Sequence, residues 1–465
     1  MKNLEHQSKS CWEVYSSPKD RAAMDTLAAR YLDFLTACKT ERETMVYVRG
    51  RLLKAGFIES PDGAFSAQAC FRILKGKTVF IARKGKRPLS EGFRLIGAHA
   101  DSPRLDLKQR PLYEECHVVK AKTHYYGGIR KHQWLARPLA LHGAVAKTDG
   151  SVVEVVIGEN PADPVFSVSD LLPHLAHRQT EQKVEDAFEA EKLNVILGHA
   201  PLDAKKADKK AANDTPSKVK AKVLALLHER YGITESDLYS AELAAVPAGP
   251  ARFVGLDGSM IGGYGQDDGL CVFTALEAML AAPASEHAQI VLFWDKEEIG
   301  SEGATGARSK FFEYCLQDLV AAWQPKARLS KVLGASKAVS ADVNAGVDPD
   351  YQDVYEKLNA SFLGYGPTFN KFTGHRGKVG ASDAHFEYVA WIRNILDRVG
   401  VPWQMAELGK VDLGGGGTVA KFLAEYCMDV IDFGPPLFSM HSPFEIASTA
   451  DVYATMLAYK AFLLS

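Results

Sequence analysis

Residues 289–301 read QIVLFWDKEEIGS, an apolar run followed by two adjacent carboxylates and a glycine turn. The run Gln289–Trp294 has the length and the β-type residues of a buried strand. A helix is predicted before it, at Cys271–Ala282, and the chain continues with a strand, a helix and a strand, predicted at Lys337–Ala341, Val419–Tyr426 and Asp429–Phe433. This alternation predicts an α/β fold with a mainly parallel mixed sheet flanked by helices.

A region of different texture interrupts this alternation. Residues 106–250 are rich in short β-type runs such as Val152–Ile157, and we interpret them as an inserted β-rich domain. The α/β domain then has two parts, residues 1–105 and 251–465, and it opens with two predicted helices between about Asp25 and Ala55. The Lys/Ala-rich stretch 204–213 is typical of a solvated loop without a function of its own.

The bulk composition excludes several classes of function. The chain has 465 residues, of which 46% are hydrophobic and 24% charged, as in globular proteins. A net charge of -2 gives no long-range attraction to nucleic acid or to acidic membranes. No apolar run is long enough to cross a bilayer, and Met1–His6 lacks the apolar core of a signal peptide. The seven cysteines are scattered singly, which predicts neither a disulfide framework nor a Cys-type zinc site and favours a reducing cytoplasm.

The pair Glu297–Glu298 is the strongest chemical signal in the sequence. Adjacent carboxylates repel each other, so a neutralising cation is one explanation and a solvated turn is the other. With a metal present, one Glu can be a ligand while its neighbour accepts a proton from metal-bound water. Ligand-type residues also occur at other strand ends or helix starts, where open α/β sheets bind ligands, namely at His99 with Asp101, Asp267 with Asp268, Asp342, and His441.

Each of these positions also has a structural interpretation. Asp101 could orient the imidazole of His99 or simply hold its own segment in place. Asp267 could bridge two cations or cap the helix that follows it. Taken together, two His, two Asp and two Glu supply the mixed nitrogen and oxygen donors that suit zinc or a similar first-row metal.

Several segments resemble a known family, the dinuclear zinc aminopeptidases typified by aspartyl aminopeptidase and vacuolar aminopeptidase I. The similarity runs in order from about residue 90 to residue 445 and is carried by Gly97–Leu105, Tyr125–Ile129, Trp294–Ser301, Ser340–Asp342 and Ser439–Ser442. Trp134–Arg137 and Asp342–Gly346 depart from the aspartyl branch, so the chain looks closer to the bacterial branch called aminopeptidase 1.

The resemblance implies a metal-dependent aminopeptidase that removes the N-terminal residue from peptides with a free N-terminus. Asp267 is implied to bridge two metal ions, Glu297 to be the general base for a metal-activated water, and Asp101 to support the site from behind. The implied cofactor is two zinc ions per subunit, with Co or Mn as possible substitutes. The implied ligands are His99, Asp267, Glu298, Asp342 and His441.

The resemblance also implies an assembly and a substrate contact. A β-sandwich-like insert would build dimers, and the dimers would form a homododecamer in which a His from a neighbouring insert reaches the active site. His174 and His177 are the candidates for this His, with solvent-facing roles as the alternative. His375, Arg376 and Lys378 lie where relatives place a cation for acidic side chains, although basic residues in such loops are also often solvated.

The departures from the aspartyl branch leave the substrate preference open between acidic and neutral N-terminal residues. A broad-specificity enzyme, or a catalytically silent family member with an assembly role, is the alternative, and the intact set of donor residues argues against silence. The chain has no His-Glu-x-x-His and no Gly-x-Ser-x-Gly. Gly415–Ala420 fits a dinucleotide-binding pattern, but Glu407–Leu413 is a poor buried strand, so a glycine-rich loop at the peptide site is the better interpretation.

Overall fold

The computed structural model of the chain describes residues 4–63, 65–202 and 218–465, and the Lys/Ala-rich stretch 204–213 therefore lies outside the described residues. The chain forms two compact units. We call them the α/β unit, which contains residues up to Ser102 together with 251–440 and 444–465, and the insert unit, which contains 103–250 and the short segment His441–Pro443. The division into a catalytic domain of residues 1–105 and 251–465 and an oligomerisation insert of residues 106–250 stays a prediction.

The central sheet of the α/β unit confirms the predicted α/β fold. Its four middle strands run parallel to one another, and antiparallel pairings occur on both sides of them. In the described part of the chain this nine-stranded sheet has the order Ile58–Glu59, Ala69–Leu74, Thr78–Arg83, Ala288–Trp294, Phe93–His99, Lys337–Ser340, Asp429–Gly434, Thr368–Asn370 and Gln404–Met405.

Two further sheets complete the α/β unit. A five-stranded sheet contains Arg252–Val254, Met260–Gly263, Glu445–Ser448, Pro436–Phe438 and Asn344–Ala345, and Gly374–His375 pairs with Gly415–Gly416. The helices span Cys11–Val14, Pro18–Ala37, Glu41–Lys54, Gln266–Ala281, Phe311–Trp323, Leu329–Gly334, Phe386–Val399, Ala420–Ala424 and Thr449–Leu463.

Both faces of the central sheet are covered by helices, which explains why its strands are apolar throughout. In the strand Ala288–Trp294, Val291 and Phe293 belong to one hydrophobic core, while Ile290 and Leu292 belong to a second. Because successive side chains of a strand point to opposite faces, these two cores lie on opposite sides of the sheet. The continuous apolar run of the sequence is therefore the mark of a strand buried on both faces.

Local sequence explains the start of the helix Pro18–Ala37, but it does not predict the bounds of two other helices. Ser17 caps the helix Pro18–Ala37 by accepting the N–H of Asp20, and the proline occupies its first position. The helix predicted at Cys271–Ala282 instead begins at Gln266, and that predicted at Val419–Tyr426 is limited to Ala420–Ala424. A carboxylate far along the chain, Glu445, holds the start of the first of these helices.

The insert unit is built on antiparallel strands. In the described residues a seven-stranded sheet has the order Val152–Ile157, Leu139–Ala146, Ala241–Pro247, Arg104–Glu115, Val118–Tyr126, Val195–Gly198 and Ser167–Val168. Hydrogen bonds link all seven strands in this order, and a β-sandwich-like form of the insert stays a prediction. The register shift between Leu107 and Leu112 is a bulge that lets the long strand bend. Among its described residues, the helices of this unit span His177–Thr180, Val184–Ala187 and Lys218–Tyr231.

Among the described residues, no helix is both long and apolar enough to span a membrane. All seven cysteines are free thiols, and five of them are buried. A cytoplasmic location stays a prediction.

Asp451 is a buried carboxyl group whose titration should affect stability. Its Oδ2 accepts the N–H of Gly364 at 2.7 Å and its Oδ1 accepts the N–H of Gly366 at 2.8 Å. Burial nevertheless raises the pKa of Asp451 to about 7. Because the folded state favours the protonated carboxyl group, protonation of Asp451 stabilises the folded protein. This stabilisation is complete below about pH 4 and is lost as the pH rises through about 7.

We therefore expect Asp451→Asn, which has no charge to bury, to have a flatter dependence of stability on pH. The free energy of unfolding of the wild type, taken relative to the variant, should fall between pH 5 and pH 8 by up to about 3 kcal/mol. Urea unfolding of both proteins at several pH values, with zinc held constant, measures this difference. A difference that does not change with pH would contradict the assignment.

Candidate metal centre

His99 ends the central strand Phe93–His99 and is 2% exposed. Its Nδ1 lies 3.0 Å from the backbone oxygen of Asp101, so that Nδ1–H donates there and Nε2 keeps its lone pair. Nε2 is directed at carboxylates, 3.3 Å from Asp267 Oδ1 and 4.0 Å from Asp342 Oδ1. Burial lowers the pKa of His99, but hydrogen bonds with Asp101 and Asp267 outweigh it and raise the net pKa well above its ordinary value.

Asp101 connects His99 to the carboxylate pair. Its Oδ1 accepts the N–H of Glu297 at 3.1 Å, and its Oδ2 accepts the N–H of Glu298 at 3.2 Å. The same Oδ1 lies 3.5 Å from Nδ1 of His99. One fully buried carboxylate thus holds the turn that carries both glutamates, which follows the strand Ala288–Trp294, next to the histidine at the end of the neighbouring strand.

A distant carboxylate, Glu445, holds the start of the helix that carries Asp267. The helix Gln266–Ala281 follows Gly265, which makes no side-chain cap, and Glu445 Oε2 accepts the N–H groups of Gln266 and Asp267 at 2.7 and 3.1 Å. Ser102 Oγ donates to the backbone oxygen of Asp267 at 2.8 Å. These contacts leave the Asp267 carboxylate directed at His99.

Asp342 follows the strand Lys337–Ser340 and is held there by backbone contacts. The N–H of Ala341 donates to the Gly97 oxygen at 2.7 Å. A Cβ on Gly434 would lie 2.0 Å from the backbone oxygen of Asp342, so only glycine fits on the adjacent strand. Three neighbouring parallel strands therefore deliver His99, Asp342 and the Glu297–Glu298 turn to one edge of the sheet.

Two overlapping groups of these side chains have the spacing of metal ligands. One group is His99, Asp267 and Glu298, and the other is His99, Asp268 and Asp342, with ligand atoms within 4.8 Å of one another in each. Zinc ligands at 2.0–2.1 Å in tetrahedral geometry are about 3.4 Å apart. The 3.3 Å between His99 Nε2 and Asp267 Oδ1 fits this spacing.

The electrostatics of the site also fit a cation. Burial, followed by the charges of Asp268 and Asp267, raises the pKa of Asp342 well above its ordinary value. Burial likewise raises the pKa of Asp268. A bound cation would reverse this penalty on the charged carboxylates. The donor chemistry of imidazole and carboxylates suits zinc.

His441 belongs to the insert unit and lies beside Tyr125–Ile129, one of the segments that carry the family resemblance. Its Nδ1 is 2.8 Å from the backbone oxygen of Gly128, which leaves Nε2 for another partner. A Cβ on Gly128 would be 3.2 Å from Nδ1, so the glycine gives the ring room. Ligation by His441 stays a prediction.

The other predicted binding residues lie on the surface. His174 and His177 are exposed in the insert unit, and His177 Nδ1 is 3.5 Å from Glu181 Oε1. His375 is exposed in the α/β unit, and Lys378 Nζ is 3.2 Å from Asp383 Oδ2. Substrate contacts by these four residues stay predictions.

The glycine-rich loop differs from a dinucleotide-binding turn. Gly415–Gly416 pairs antiparallel with Gly374–His375, and the helix after it has only five residues, Ala420–Ala424. Thr418 Oγ1 donates to Asp432 Oδ1 at 2.5 Å, which ties the loop to the central sheet. This arrangement lacks the strand and long helix that cradle a pyrophosphate.

Sequence reasoning missed two residues that organise the site. Asp268 Oδ2 accepts the backbone N–H of His99 at 3.2 Å, although the sequence suggested only a role beside Asp267. Glu445 holds the helix start that carries Asp267. The Asp-Asp pair was a visible signal for the first, whereas nothing near Glu445 in the sequence indicated the second.

Comparison with known families shows to which family the chain belongs. The profile described as "Aminopeptidase I zinc metalloprotease (M18)" matches residues 34–463. The chain belongs to the M18 family of zinc metallopeptidases. It is therefore an aminopeptidase, an enzyme that hydrolyses the N-terminal residue of its substrate, and the resemblance seen in the sequence is confirmed.

Individual M18 proteins are similar over the whole chain. The probable M18 family aminopeptidase 1 of Clostridium acetobutylicum is 45% identical, with 99% of each chain covered, which confirms the predicted bacterial branch. The crystal structure of an M18 aminopeptidase from Thermotoga maritima has a TM-score of 0.91, at 42% identity and 99% coverage of each chain. The S. cerevisiae mApe1 dodecamer has a TM-score of 0.76 at 21% identity, covers 95% of this chain and 97% of its own, and shares the fold.

Proposed function

We propose that this M18 aminopeptidase binds two zinc ions and uses Glu297 as its general base. The proposed ligands are His99, Asp267, Glu298, Asp342 and His441. The proposal rests above all on the donors grouped around His99, of which Glu298 and Asp342 follow the two strands on either side of the strand that ends at His99. Asp267 shares one group with Glu298, and its charge acts on Asp342 of the other, which supports its position between the ions.

Asp268 is better assigned to support than to ligation. Its Oδ2 already accepts the backbone N–H of His99. The negative charge of the neighbouring Asp267 also disfavours the charged form of Asp268. Asp101 has a similar supporting task, because its two oxygens accept the N–H groups of Glu297 and Glu298. Both residues orient groups that would touch metal or substrate.

Bound zinc would lower the pKa of water toward neutrality and polarise the scissile carbonyl. Glu297 accepts the proton of the attacking water and delivers it to the leaving amine. Asp101 keeps the Glu297 backbone in place during this exchange. The Glu297 carboxylate can then change its protonation state without a movement of its backbone. The dense carboxylates favour the free amino group of the substrate, which limits cleavage to the first residue.

Acidic and neutral N-terminal residues should both be accepted. Lys378, one candidate for contact with acidic side chains, is close to Asp383, which also pairs with Lys371 at 3.1 Å. These exposed pairs are screened by solvent, so we expect acidic residues to gain less than about tenfold in kcat/KM over neutral ones.

The assay that tests this function combines a substrate panel with metal analysis. Zinc-loaded protein should cleave chromogenic Asp, Glu, Ala and Leu substrates, leave their N-acetylated forms intact, and contain two zinc atoms per chain. A chelator should abolish cleavage, and added zinc should restore it. Activity without bound metal, or one zinc atom per chain at full activity, would refute the dinuclear assignment.

We also propose that the chain assembles into a homododecamer of dimers through residues 106–250, with His174 or His177 reaching a neighbouring active site. The mApe1 dodecamer of similar fold supports this proposal. Light scattering should give a mass about twelve times the 50.8 kDa of the chain. A monomer or an isolated dimer at full activity would contradict it.

A further inference from the structure

A cavity of about 460 Å³ lies in the insert unit, between its antiparallel sheet and the helix Lys218–Tyr231. Its walls are almost entirely hydrocarbon. Except for Glu229, Arg230 and Tyr231, every lining side chain is aliphatic, aromatic or proline. A volume in this range with apolar walls is typical of small-molecule sites.

The first half of the helix packs directly on the sheet. Val219 and Val223 form a small apolar cluster with Val119. A Cβ on Gly198 would lie 2.8 Å from Val223 Cγ2, so this glycine allows the helix to approach the strand Val195–Gly198 closely. The cavity begins where this close packing ends.

The second half of the helix is held by polar contacts at its end. Tyr231 Oη donates to the Val156 oxygen at 2.9 Å. Arg230 binds Asp163 through two contacts, Nη1 to Oδ1 at 2.9 Å and Nη2 to Oδ2 at 3.3 Å. Because both halves are anchored, the helix bridges the cavity instead of closing it.

Protein interiors are packed about as tightly as organic crystals, so an apolar space of this size calls for an occupant. The sheet side of the cavity is true interior, with Leu141 at 5%, Val155 at 1% and Leu243 at 7% exposure. Residues 203–217 are a poor candidate for filling it, because apart from Pro216 they contain no apolar side chain larger than alanine. The occupant would therefore come from outside this stretch.

The opening of the cavity indicates the charge of its occupant. The exposed lining residues Pro164, Leu226, Glu229 and Arg230 mark this opening. Arg230 is already neutralised by Asp163, and Glu229 adds a negative charge, so the rim offers no net attraction for an anion. We propose that this cavity is a binding site for a small, uncharged, apolar molecule.

Calorimetric titration of the full-length zinc enzyme with 1-octanol tests the proposal. We expect saturable binding by the wild type, and about fourfold weaker binding by Leu243→Phe, whose side chain is larger than leucine by roughly the volume of one methylene group. Leu227→Phe fills the space from the helix side and serves if the first variant does not fold, as judged by near-UV circular dichroism and by aminopeptidase activity. Val152→Phe adds the same ring at a position that is 65% exposed and should bind octanol like the wild type.

Four results would overturn the proposal. One is the absence of saturable octanol binding by the wild type, and another is unchanged affinity in both filling variants. The third is a loss of oligomer mass in the filling variants, which would make the cavity a contact between copies of the chain. Octanoate should bind more weakly than octanol, and tighter octanoate binding would refute an uncharged occupant.

Discussion

Glu297→Gln should lower kcat by roughly 10²–10⁴-fold while zinc content stays at the wild-type value, because general acid–base catalysis contributes about that much. The amide has nearly the same shape as the carboxylate but accepts no proton. The backbone anchor to Asp101 does not involve the side chain and should persist. KM should change little. Steady-state kinetics with a chromogenic aminoacyl substrate and elemental analysis for zinc measure the two quantities separately.

Glu302→Gln is the matched control for this change. Glu302 lies in the same loop, is exposed, and pairs with Arg308. The same chemical replacement there should leave kcat within about twofold, since an exposed ion pair contributes little. Wild-type turnover in Glu297→Gln would remove that residue from the mechanism, and zinc loss there would make it a ligand instead of a base.

His99→Ala should weaken zinc binding by more than about a hundredfold, since losing even a residue that only supports a ligand has 10–100-fold effects. Its Nε2 is the only nitrogen donor in either group, so the ion that it binds should lose a ligand. Aminopeptidase activity should fall with the bound metal. Competition with a chromophoric chelator measures the affinity, and activity at saturating zinc shows whether binding alone was lost.

His142→Ala is the matched control, because His142 is also a buried histidine beside a carboxylate, 3.0 Å from Glu159 Oε1. It lies in the insert unit, and its loss should affect folding stability rather than zinc affinity. Equal zinc affinity in His99→Ala and the wild type would contradict ligation by His99. Equal zinc loss in both variants would point to a general effect of removing a buried histidine.

Much of the α/β unit could be predicted from the sequence because its strands are buried on both faces. The strands predicted at Gln289–Trp294, an almost continuous apolar run, and at Lys337–Ala341 match the observed strands Ala288–Trp294 and Lys337–Ser340. Edge strands such as Gln404–Met405 have no such signal, because two residues are too few for a period. Their position depends on hydrogen bonds to a distant strand.

The residues of the site also divide into those that the sequence predicts and those that it does not. Ligand-type residues at the ends of buried strands were visible, since parallel strands bring their carboxyl ends to one edge. The support from Glu445 to the helix start depends on residues almost 180 positions apart, which no local pattern encodes. The place of His441 with the insert unit was hidden for the same reason.

In the proposed mechanism, the three contacts of Asp101 make metal binding and proton transfer inseparable. A single carboxylate orients the histidine on one strand and both glutamates on the next. Damage at that point would therefore misalign ligand and base together. No excess of metal in the surroundings would repair it, since the remaining fault would lie in where the proton acceptor stands.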